Sequence, residues 1–423
     1  MELLLIGSGG REHTMAEALL KNPRVDKLYC APGNGGTAKM ERCENLPLQK
    51  SEELLAFACE NAIDFTVVGP EALLAEGIAD QFEDAGLKIF GVKQEGAQLE
   101  SSKAFSKDFM KRHGVRTAAY ETFTDPQKAK AYVEGLTEFP VVIKASGLAL
   151  GKGVVICHSL EEAKATIGEM MENHAFNEAG NTIVIEEFLE GVEASILTVV
   201  SHSKQIVELQ SAKDHKRVFD GDLGDNTGGM GAICPNPHMD EKAWEEFRQN
   251  IVAPTLEGLQ KEKIDFTGAI FFGLMLTQKG MYLLEYNVRF GDPETQAILP
   301  MLEDDFLTLL EDAVNGTLSE KPLRFKNGCS VCVTAVSGGY PKFYVKGVPI
   351  SGLTKVSEDV TVYIAGADYN DQGLLATTGG RVLNMVAIGD TMEQAQKKAY
   401  RELEKIQFAG MFYRKDIGGA QEN

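Results

Sequence analysis

The sequence is short of positive charge. Its 423 residues include 42 lysines and arginines against 62 aspartates and glutamates, so the net charge is −20 and the pI is about 4.9. Nucleic acids and anionic membranes attract proteins through broad basic surfaces. The composition therefore predicts neither a nucleic-acid nor a membrane partner. The composition does not exclude small anionic substrates, because local basic residues and backbone N–H groups can bind them.

Cysteine is scarce, and its spacing indicates no metal site. Of seven cysteines only Cys329 and Cys332 form a close pair, whereas a structural zinc site needs four ligands. The run Ser330–Val333 around them is apolar, so we predict a buried strand rather than redox or metal chemistry. The N-terminus opens into Leu3–Gly7 without a signal-peptide pattern. These features predict a reducing, cytoplasmic location.

Long hydrophobic runs are absent too. No apolar stretch reaches the roughly 18 residues that a membrane-spanning helix needs. Residues 1–102 alternate short apolar strands with helical patterns, which predicts a parallel sheet that binds ligands at the carboxyl ends of its strands. Residues 103–325 are mixed, and 219–237 look like a long functional loop rich in Gly, Asp and Pro. Residues 328–423 contain several strands and one late helix.

A glycine-rich turn, Gly7–His13, follows the first strand. The dinucleotide fingerprint Gly-x-Gly-x-x-Gly fails here because Glu12 stands at its last position. A phosphate-binding turn remains open, since the next helix start offers free N–H groups and Arg11 adds charge. A purely structural turn remains open as well. The loop Ala31–Thr37 would lie beside this turn if the first two strands are neighbours.

A second glycine-rich segment, Lys144–Gly153, is not a Walker P-loop. Three residues rather than four separate Gly147 from Gly151, and Gly153 rather than Ser or Thr follows Lys152. The segment instead predicts a hairpin that can fold over a triphosphate and exclude water. An ordinary turn with a surface lysine is the alternative.

Adjacent acids end an apolar strand in Ile185–Leu189, and Glu193 follows shortly after. The backbone of such a segment could bind a nucleotide base, and a carboxylate could accept bonds from the ribose hydroxyls. A strand end that reaches solvent would give the same pattern.

The densest group of charges lies in Leu284–Gln296. Strand residues two apart face one side, so Glu285, Asn287 and Arg289 should point together. A Glu and an Asn supply the hard oxygens that suit Mg²⁺ held jointly with ATP phosphates, and Arg289 could bind a phosphoryl or carboxylate group. The alternative is a surface ion-pair cluster.

The segment Arg289–Gln296 resembles the signature of the glycinamide ribonucleotide synthetase family of the ATP-grasp superfamily. The resemblance covers essentially the whole chain. It extends to Gly9–His13, Ala31–Asn34, Val68–Glu71, Lys103, Lys144–Gly153, Asp214–Arg217, Asn226–Gly231 and Arg414–Gly418.

The resemblance implies an α/β and α+β multidomain fold. A Rossmann-like N-terminal substrate-binding domain would span 1–102. A central ATP-grasp domain would span 103–325, with a small lid subdomain at about 118–190, and a β-rich C-terminal domain would span 328–423. A monomer is expected.

The implied enzyme is an ATP-dependent ligase of de novo purine biosynthesis. Glycine and ATP would give glycyl phosphate and ADP. The amine of 5-phospho-D-ribosylamine would then displace phosphate to give glycinamide ribonucleotide. The implied cofactor is Mg²⁺ or Mn²⁺, with Glu285 and Asn287 as its ligands.

The resemblance also implies roles for other residues. Catalytic roles fall to Arg289, Asp292, Asp214 and Lys144. ATP would contact Lys103, Lys144, Gly147, Gly151, Lys152, Gly153, Glu186, Glu187, Phe188, Leu189 and Glu193. The other substrates would contact Gly9, Gly10, Arg11, Asn34, Asp214, Arg289, Asp292 and Glu294.

Two positions depart from the family pattern. Asp225 stands where relatives have Pro before the Asn226 run, and Ala269–Leu276 lacks the acidic metal ligand of many superfamily members. We therefore expect the metal shell to depend on Glu285, Asn287, phosphates and water. Three competing interpretations remain: an ATP-grasp ligase for another acid or amine, a nucleotide-sensing binding protein, and a nicotinamide dehydrogenase.

Overall fold

The N-terminal strands form the expected parallel sheet. The computed structural model describes residues 1–149, 153–319 and 321–419, and no helix in those ranges is long and apolar enough to cross a membrane. Strands β1 (Glu2–Gly7), β2 (Lys27–Pro32), β3 (Cys43–Asn45), β4 (Phe65–Val68) and β5 (Ile89–Phe90) lie in the order β3-β2-β1-β4-β5, all parallel.

Helices connect these strands and bury the sheet. They are α1 (Gly10–Leu20), α2 (Ser51–Glu60), α3 (Glu71–Ala75), α4 (Ile78–Asp84) and α5 (Gln94–Ser101). Leu3, Leu4 and Leu5 are all fully buried, as in a sheet covered on both faces. The loops after three strands meet at one edge, where Gly33 N donates to Gly7 O (3.1 Å) and Gly69 N donates to Ile6 O (2.9 Å).

A small antiparallel sheet, here called the lid sheet, follows helix α6 (Lys103–His113). Ser102 caps α6, since its Oγ accepts from Phe105 N at 3.2 Å. The next elements are β6 (Tyr120–Phe123), α7 (Pro126–Glu134), β7 (Val141–Ala145), β8 (Val154–Cys157), α8 (Leu160–Ile167) and β9 (Ile183–Glu187). The strands lie in the order β6-β9-β7-β8 and pack on the two helices around a separate apolar core.

The rest of the chain forms one large sheet, two separate two-stranded sheets and several helices. Its elements are β10 (Val192–Ser201), β11 (Gln205–Asp214), β12 (Arg217–Phe219), β13 (Leu223–Asn226), β14 (Gly231–Cys234), α9 (Glu241–Phe247), α10 (Ala253–Glu262), β15 (Gly268–Thr277), β16 (Gly280–Asn287), α11 (Glu294–Ile298), α12 (Phe306–Asn315), β17 (Cys329–Val336), β18 (Val360–Ile364), β19 (Ala367–Tyr369), β20 (Leu375–Thr377), β21 (Arg381–Gly389) and α13 (Met392–Leu403).

The C-terminal strands extend the central sheet instead of forming a separate one. Eight strands run in the order β16-β15-β10-β11-β14-β17-β21-β18, and β14 pairs with β17 antiparallel. Strand β17 can lie in the middle of this sheet because nearly all of its residues are buried, and Cys332 in it is fully buried as expected from the apolar run. Sequence patterns reveal strands but not which strands pair across domains.

The prediction of a continuous loop at 219–237 is partly wrong. The segment contains the end of a β12–β13 hairpin and the whole of β14. The hairpin turns at Gly221 and Asp222, which have φ of 70° and 54°. Gly231 begins β14, and a Cβ there would lie 2.4 Å from Cys332 O. Glycine and aspartate here allow tight turns and a close contact between strands. A composition rich in these residues cannot distinguish such a hairpin from an irregular loop.

Arg414 anchors the hairpin to the C-terminal segment. Its side chain is 1% exposed and lies 2.7 Å from Asp222 Oδ1 and 2.7 Å from Asp416 Oδ2. It also donates to Arg217 O at 3.1 Å. One buried guanidinium thus satisfies groups from both ends of the hairpin.

We predict that Arg414→Ala lowers the free energy of unfolding by about 3 kcal/mol, because carboxylates lose their buried cation. Urea unfolding measures this change. Lys415→Ala is the matched control, since Lys415 is exposed on the same segment. Equal stability of the two variants would show that the Arg414 contacts do not hold the hairpin.

Candidate functional site

The site centres on Glu285 near the end of β16. Burial alone would raise the pKa of Glu285, but Lys216, Lys144, Lys103 and Arg289 hold it below its ordinary value. These cations come from four segments that are distant in sequence: the loop after β11, strand β7, helix α6 and the loop after β16. An excess of cations around one carboxylate is suited to a polyphosphate.

Glu186 orients Lys144 within this cluster. Lys144 Nζ lies 3.0 Å from Glu186 Oε1 and donates to Leu284 O at 3.3 Å. Lys107 Nζ lies 3.1 Å from the other oxygen, Glu186 Oε2. Burial, together with the charge of Lys144, lowers the pKa of Lys107 to about 8 even though Glu186 opposes the shift. The carboxylate of Glu186 therefore forms ion pairs with two lysines, and its Oε1 makes no hydrogen bond among the residues that the structure describes.

The other segments expected to contact nucleotide border this cluster. Lys103 Nζ donates to Gly147 O at 3.3 Å, and Gly153 O accepts from Ala145 N at 2.8 Å. Glu187 and Phe188 are exposed at the end of β9. The remaining residues are half-buried Leu189, Glu193, whose Oε2 lies 2.8 Å from Lys216 Nζ, and Gly151 and Lys152, which lie outside the described residues.

Arg289 lies just beyond the end of β16 and beside Asn287. Its Nη2 donates to Asn287 Oδ1 at 3.1 Å and lies 3.2 Å from Glu100 Oε1, while Nε lies 3.2 Å from Glu71 Oε2. Burial raises the pKa of Glu100 to about 7 even though Arg289 lowers it. The structure therefore brings Glu285, Asn287 and Arg289 together, as the strand pattern predicted.

A pair of buried carboxylates lies beyond Arg289. Burial and the neighbouring Glu294 raise the pKa of Asp214 well above its ordinary value, and burial raises the pKa of Glu294. Glu294 Oε1 accepts from Ser195 Oγ at 3.1 Å. Asp214 Oδ1 has no hydrogen-bond partner among the residues that the structure describes. A buried oxygen of this kind indicates a place for a ligand donor.

Asp292 joins the site to a cavity of about 700 Å³. The carboxylate lies 3.1 Å from Arg381 Nη2 and accepts from Gln296 Nε2 at 2.6 Å. Burial would raise the pKa of Asp292, but Arg381 and other donors hold it below its ordinary value. The cavity lies between the N-terminal sheet and the C-terminal strands, with Gly9, Gly33, Asn34, Gly366, Gly379, Asp292 and Arg381 among its lining residues.

Glu12 explains why the dinucleotide fingerprint fails. Its Oε1 lies 2.6 Å from Arg11 Nε, and its Oε2 accepts from Gly9 N at 2.5 Å. A Cβ at Gly69 would lie 2.0 Å from Glu12 Oε1, and one at Gly7 would lie 2.5 Å from Glu12 Cγ. These glycines make room for a protein carboxylate. The space that a dinucleotide pyrophosphate would need is filled.

Two further substrate candidates are used by the protein itself. Asn34 is buried, and its Nδ2 donates to Ser8 O and to Ile364 O, both at 2.9 Å. A Cβ on Gly10 would lie 2.3 Å from Asn384 Nδ2. Asn34 and Gly10 therefore join the N-terminal unit to the C-terminal strands and shape the cavity wall.

Sequence reasoning missed several charged residues at the site. Arg381 follows Gly379-Gly380, and Lys216 lies in the run that contains Asp214, so both had a detectable signal. Glu71 ends the family-like segment Val68–Glu71, but the sequence suggested no role for it. Glu100 and Lys107 sit on helices without a motif, and only their burial reveals them.

Three family models together match most of the chain. The N domain of phosphoribosylglycinamide synthetase matches residues 1–100, its ATP-grasp (A) domain matches 101–295 and its C domain matches 330–420.

Similar full-length proteins carry the name phosphoribosylamine–glycine ligase. The one from Clostridium acetobutylicum is 52% identical over 418 residues, 99% of each chain. The one from Fusobacterium nucleatum is 47% identical over 422 residues, 99% of this chain and 98% of the relative.

Comparison with solved structures agrees with the family models and the sequence relatives. The crystal structure of phosphoribosylamine–glycine ligase from Thermotoga maritima has a TM-score of 0.83 and 36% identity, and the match covers 98% of this chain and 100% of that one. The biotin carboxylase domain of 2-oxoglutarate carboxylase from Hydrogenobacter thermophilus is 18% identical with a TM-score of 0.74, over 97% of this chain and 91% of that one, which shows a shared fold.

Gly10→Ala should destabilise the protein by about 1–3 kcal/mol, because the new methyl group would press on the buried amides of Asn384 and Gln296. Gly135→Ala is the control, since its nearest contact would be 3.4 Å away. Thermal unfolding of both variants measures the difference. A Gly10→Ala variant as stable as Gly135→Ala would contradict the tight contact between N-terminal and C-terminal units.

Proposed function

The chain belongs to the phosphoribosylglycinamide synthetase family, and from that premise we propose that it joins glycine to 5-phospho-D-ribosylamine in purine biosynthesis. A glycine carboxylate oxygen attacks the γ-phosphorus of ATP, which gives glycyl phosphate and releases ADP. The amine then attacks the glycyl carbonyl carbon, the C–O bond to phosphate breaks, and glycinamide ribonucleotide forms. The main support for this proposal is that the lysine cluster, the Asp214–Glu294 pair and the 700 Å³ cavity meet around Arg289 and Asp292.

On the nucleotide side, Lys103 and Lys144 bind the phosphates. Catalysis of phosphoryl transfer consists mainly of positioning and charge stabilisation, which fits a buried lysine cluster. Lys144 can exchange its contact with Glu186 for a phosphate, because Lys107 remains to neutralise Glu186. The end of β9 binds the base and the ribose. Glu186 contributes indirectly, because its ion pairs orient Lys144 and Lys107. The residues assigned to this side are Gly147, Gly151, Lys152, Gly153, Glu186, Glu187, Phe188, Leu189 and Glu193.

Glu285 and Asn287 supply the oxygens for a divalent metal. ATP-grasp enzymes use ATP with divalent metal ions, and we propose Mg²⁺ or Mn²⁺ here. The donor set fits, because a carboxylate with a lowered pKa and an amide oxygen are hard ligands beside cations that attract phosphates. When bound, such an ion would neutralise phosphate charge as it develops. Asn287 Oδ1 already accepts from Arg289, so this amide also orients the guanidinium.

Glycine binds between Asp214 and Arg289. An ammonium group needs acceptors, and Asp214 Oδ1 is a buried acceptor without a partner among the described residues. Glu294 and Asp292 add negative charge beside it. Arg289 then faces the carboxylate that is phosphorylated and stabilises the transferring group.

The amine substrate fits the cavity between the N-terminal and C-terminal units. Backbone N–H groups at glycines can approach a phosphate closely, and the lining includes Gly9, Gly33, Gly366 and Gly379. Arg381 supplies the charge at the same wall. Asn34 also lines the cavity, and Gly10 and Arg11 are buried next to the lining residue Gly9. Closure of the glycine hairpin excludes water, which would otherwise hydrolyse glycyl phosphate.

We further propose the division of the chain at 1–102, 103–325 and 328–423, with the lid at about 118–190. We also propose that the enzyme is a cytoplasmic monomer.

The two-step reaction predicts that sustained ADP release requires both glycine and 5-phospho-D-ribosylamine, because without the amine the enzyme stops at glycyl phosphate. A coupled assay of ADP with each component omitted measures this dependence, and labelled glycine shows whether the product forms. Equal turnover with another amino acid, or sustained ADP release independent of the amine, would instead indicate a different ATP-grasp ligase.

Glu285→Gln should lower kcat by roughly 100-fold or more, because the metal loses a charged ligand at the phosphates. Electron paramagnetic resonance of Mn²⁺ in the presence of a non-hydrolysable ATP analogue should show weaker metal binding. Glu257→Gln, an exposed acid on α10, is the control. Unchanged Mn²⁺ affinity in Glu285→Gln would refute the metal assignment.

A further inference from the structure

A carboxylate of the N-terminal unit reaches into the phosphoryl-transfer side of the site. Glu71 begins α3, directly after the loop that follows β4. Its Oε2 lies 3.2 Å from Nε of Arg289, which belongs to the central unit. Burial would raise the pKa of Glu71, but Arg289 and Arg11 hold it below its ordinary value, so the contact is an ion pair.

The protein engages most of the donors of Arg289. A guanidinium has five N–H donors: one on Nε and two on each Nη. Nε faces Glu71, Nη2 faces Glu100 and Asn287, and Nη1 donates to Phe290 O at 3.3 Å. One donor on Nη1 has no partner among the residues that the structure describes and is left for a substrate. Among these partners Glu71 is on the loop edge of the N-terminal sheet, where Gly69 and Glu12 also lie.

The same contacts continue to the amine cavity. Phe290 O accepts a second bond from Arg11 Nη1 at 3.0 Å. Arg11 pairs with Glu12, and Glu12 accepts from the N–H of Gly9, which lines the cavity. Arginines from two units thus share one carbonyl oxygen, and the chain of contacts runs from the cavity wall to Arg289.

We propose that Glu71 is a positioning residue for the ligase reaction, which fixes the direction of the Arg289 guanidinium from the N-terminal unit. The proposal rests on the function proposed above, since it requires Arg289 to act on the reacting groups. Glu71 touches no reacting group; it determines which Arg289 donor faces the substrates. Misplacement of a catalytic group by about 1 Å is enough to lower a rate by roughly 100-fold.

The test is a double-mutant cycle with Glu71→Gln and Arg289→Lys. Glu71→Gln should lower kcat by roughly 10-fold or more, with the KM for ATP changed by less than about twofold, because its ion pair is with Arg289 and not with a phosphate-binding lysine. In the Arg289→Lys background the same change should lower kcat by less than about twofold, since the guanidinium it positions is gone. Labelled glycine detects the slow turnover of these variants.

Glu76→Gln is the matched control, because Glu76 is an exposed acid next to the end of the same helix. It should leave kcat and thermal stability unchanged. If Glu71→Gln lowers kcat by the same factor with and without Arg289, Glu71 acts on the fold generally and the proposal is wrong. The proposal is also wrong if Glu71→Gln leaves kcat unaffected in the otherwise wild-type enzyme, which retains Arg289. Failure of the proposed function is distinguishable, since wild type itself would then show no glycine-dependent and amine-dependent turnover.

Discussion

The structure depends on the balance of charge around Glu285. Lys103, Lys144, Lys216 and Arg289 surround this carboxylate at the end of β16 and keep it ionised despite its burial. Four cations grouped around one point would repel one another without Glu285 and its neighbours Glu186 and Glu193. The cluster is therefore neutral enough to fold, yet it retains donors for an anionic ligand. Stability and function rest on the same set of charges.

The arrangement also explains why several domains are needed for one site. Strand β14 pairs with β17, so the large sheet holds the central and C-terminal units in a fixed relation. Asn34 and Gly10 hold the N-terminal unit against β18 and β21 of the same sheet. The proposed ATP-binding and amine-binding parts of the site can then meet at Arg289–Asp292. An acyl phosphate formed in the first reaction could react there with the amine without leaving the site.

The sequence revealed those parts that depend on local patterns. Alternating strands and helices predicted the N-terminal sheet, and the comparisons confirm the family that the motifs suggested. It could not reveal the β14–β17 pairing, because strand pairing depends on contacts distant in sequence. Glu100 and Lys107 were missed for the same reason: a charged residue on a helix looks like solvent-facing surface until packing buries it. Asn34 was expected to contact substrate, and only three-dimensional contacts show its amide bonded to Ser8 and Ile364.

The central claim is that Glu285 and Asn287 face a cation that bridges ATP phosphates beside Lys103 and Lys144. A crystal structure with a non-hydrolysable ATP analogue and Mg²⁺ tests it most directly. The account predicts a metal ion bound by oxygens of both side chains and of the nucleotide, with the two lysines on the phosphates. A triphosphate bound away from Glu285 and Asn287 would contradict it.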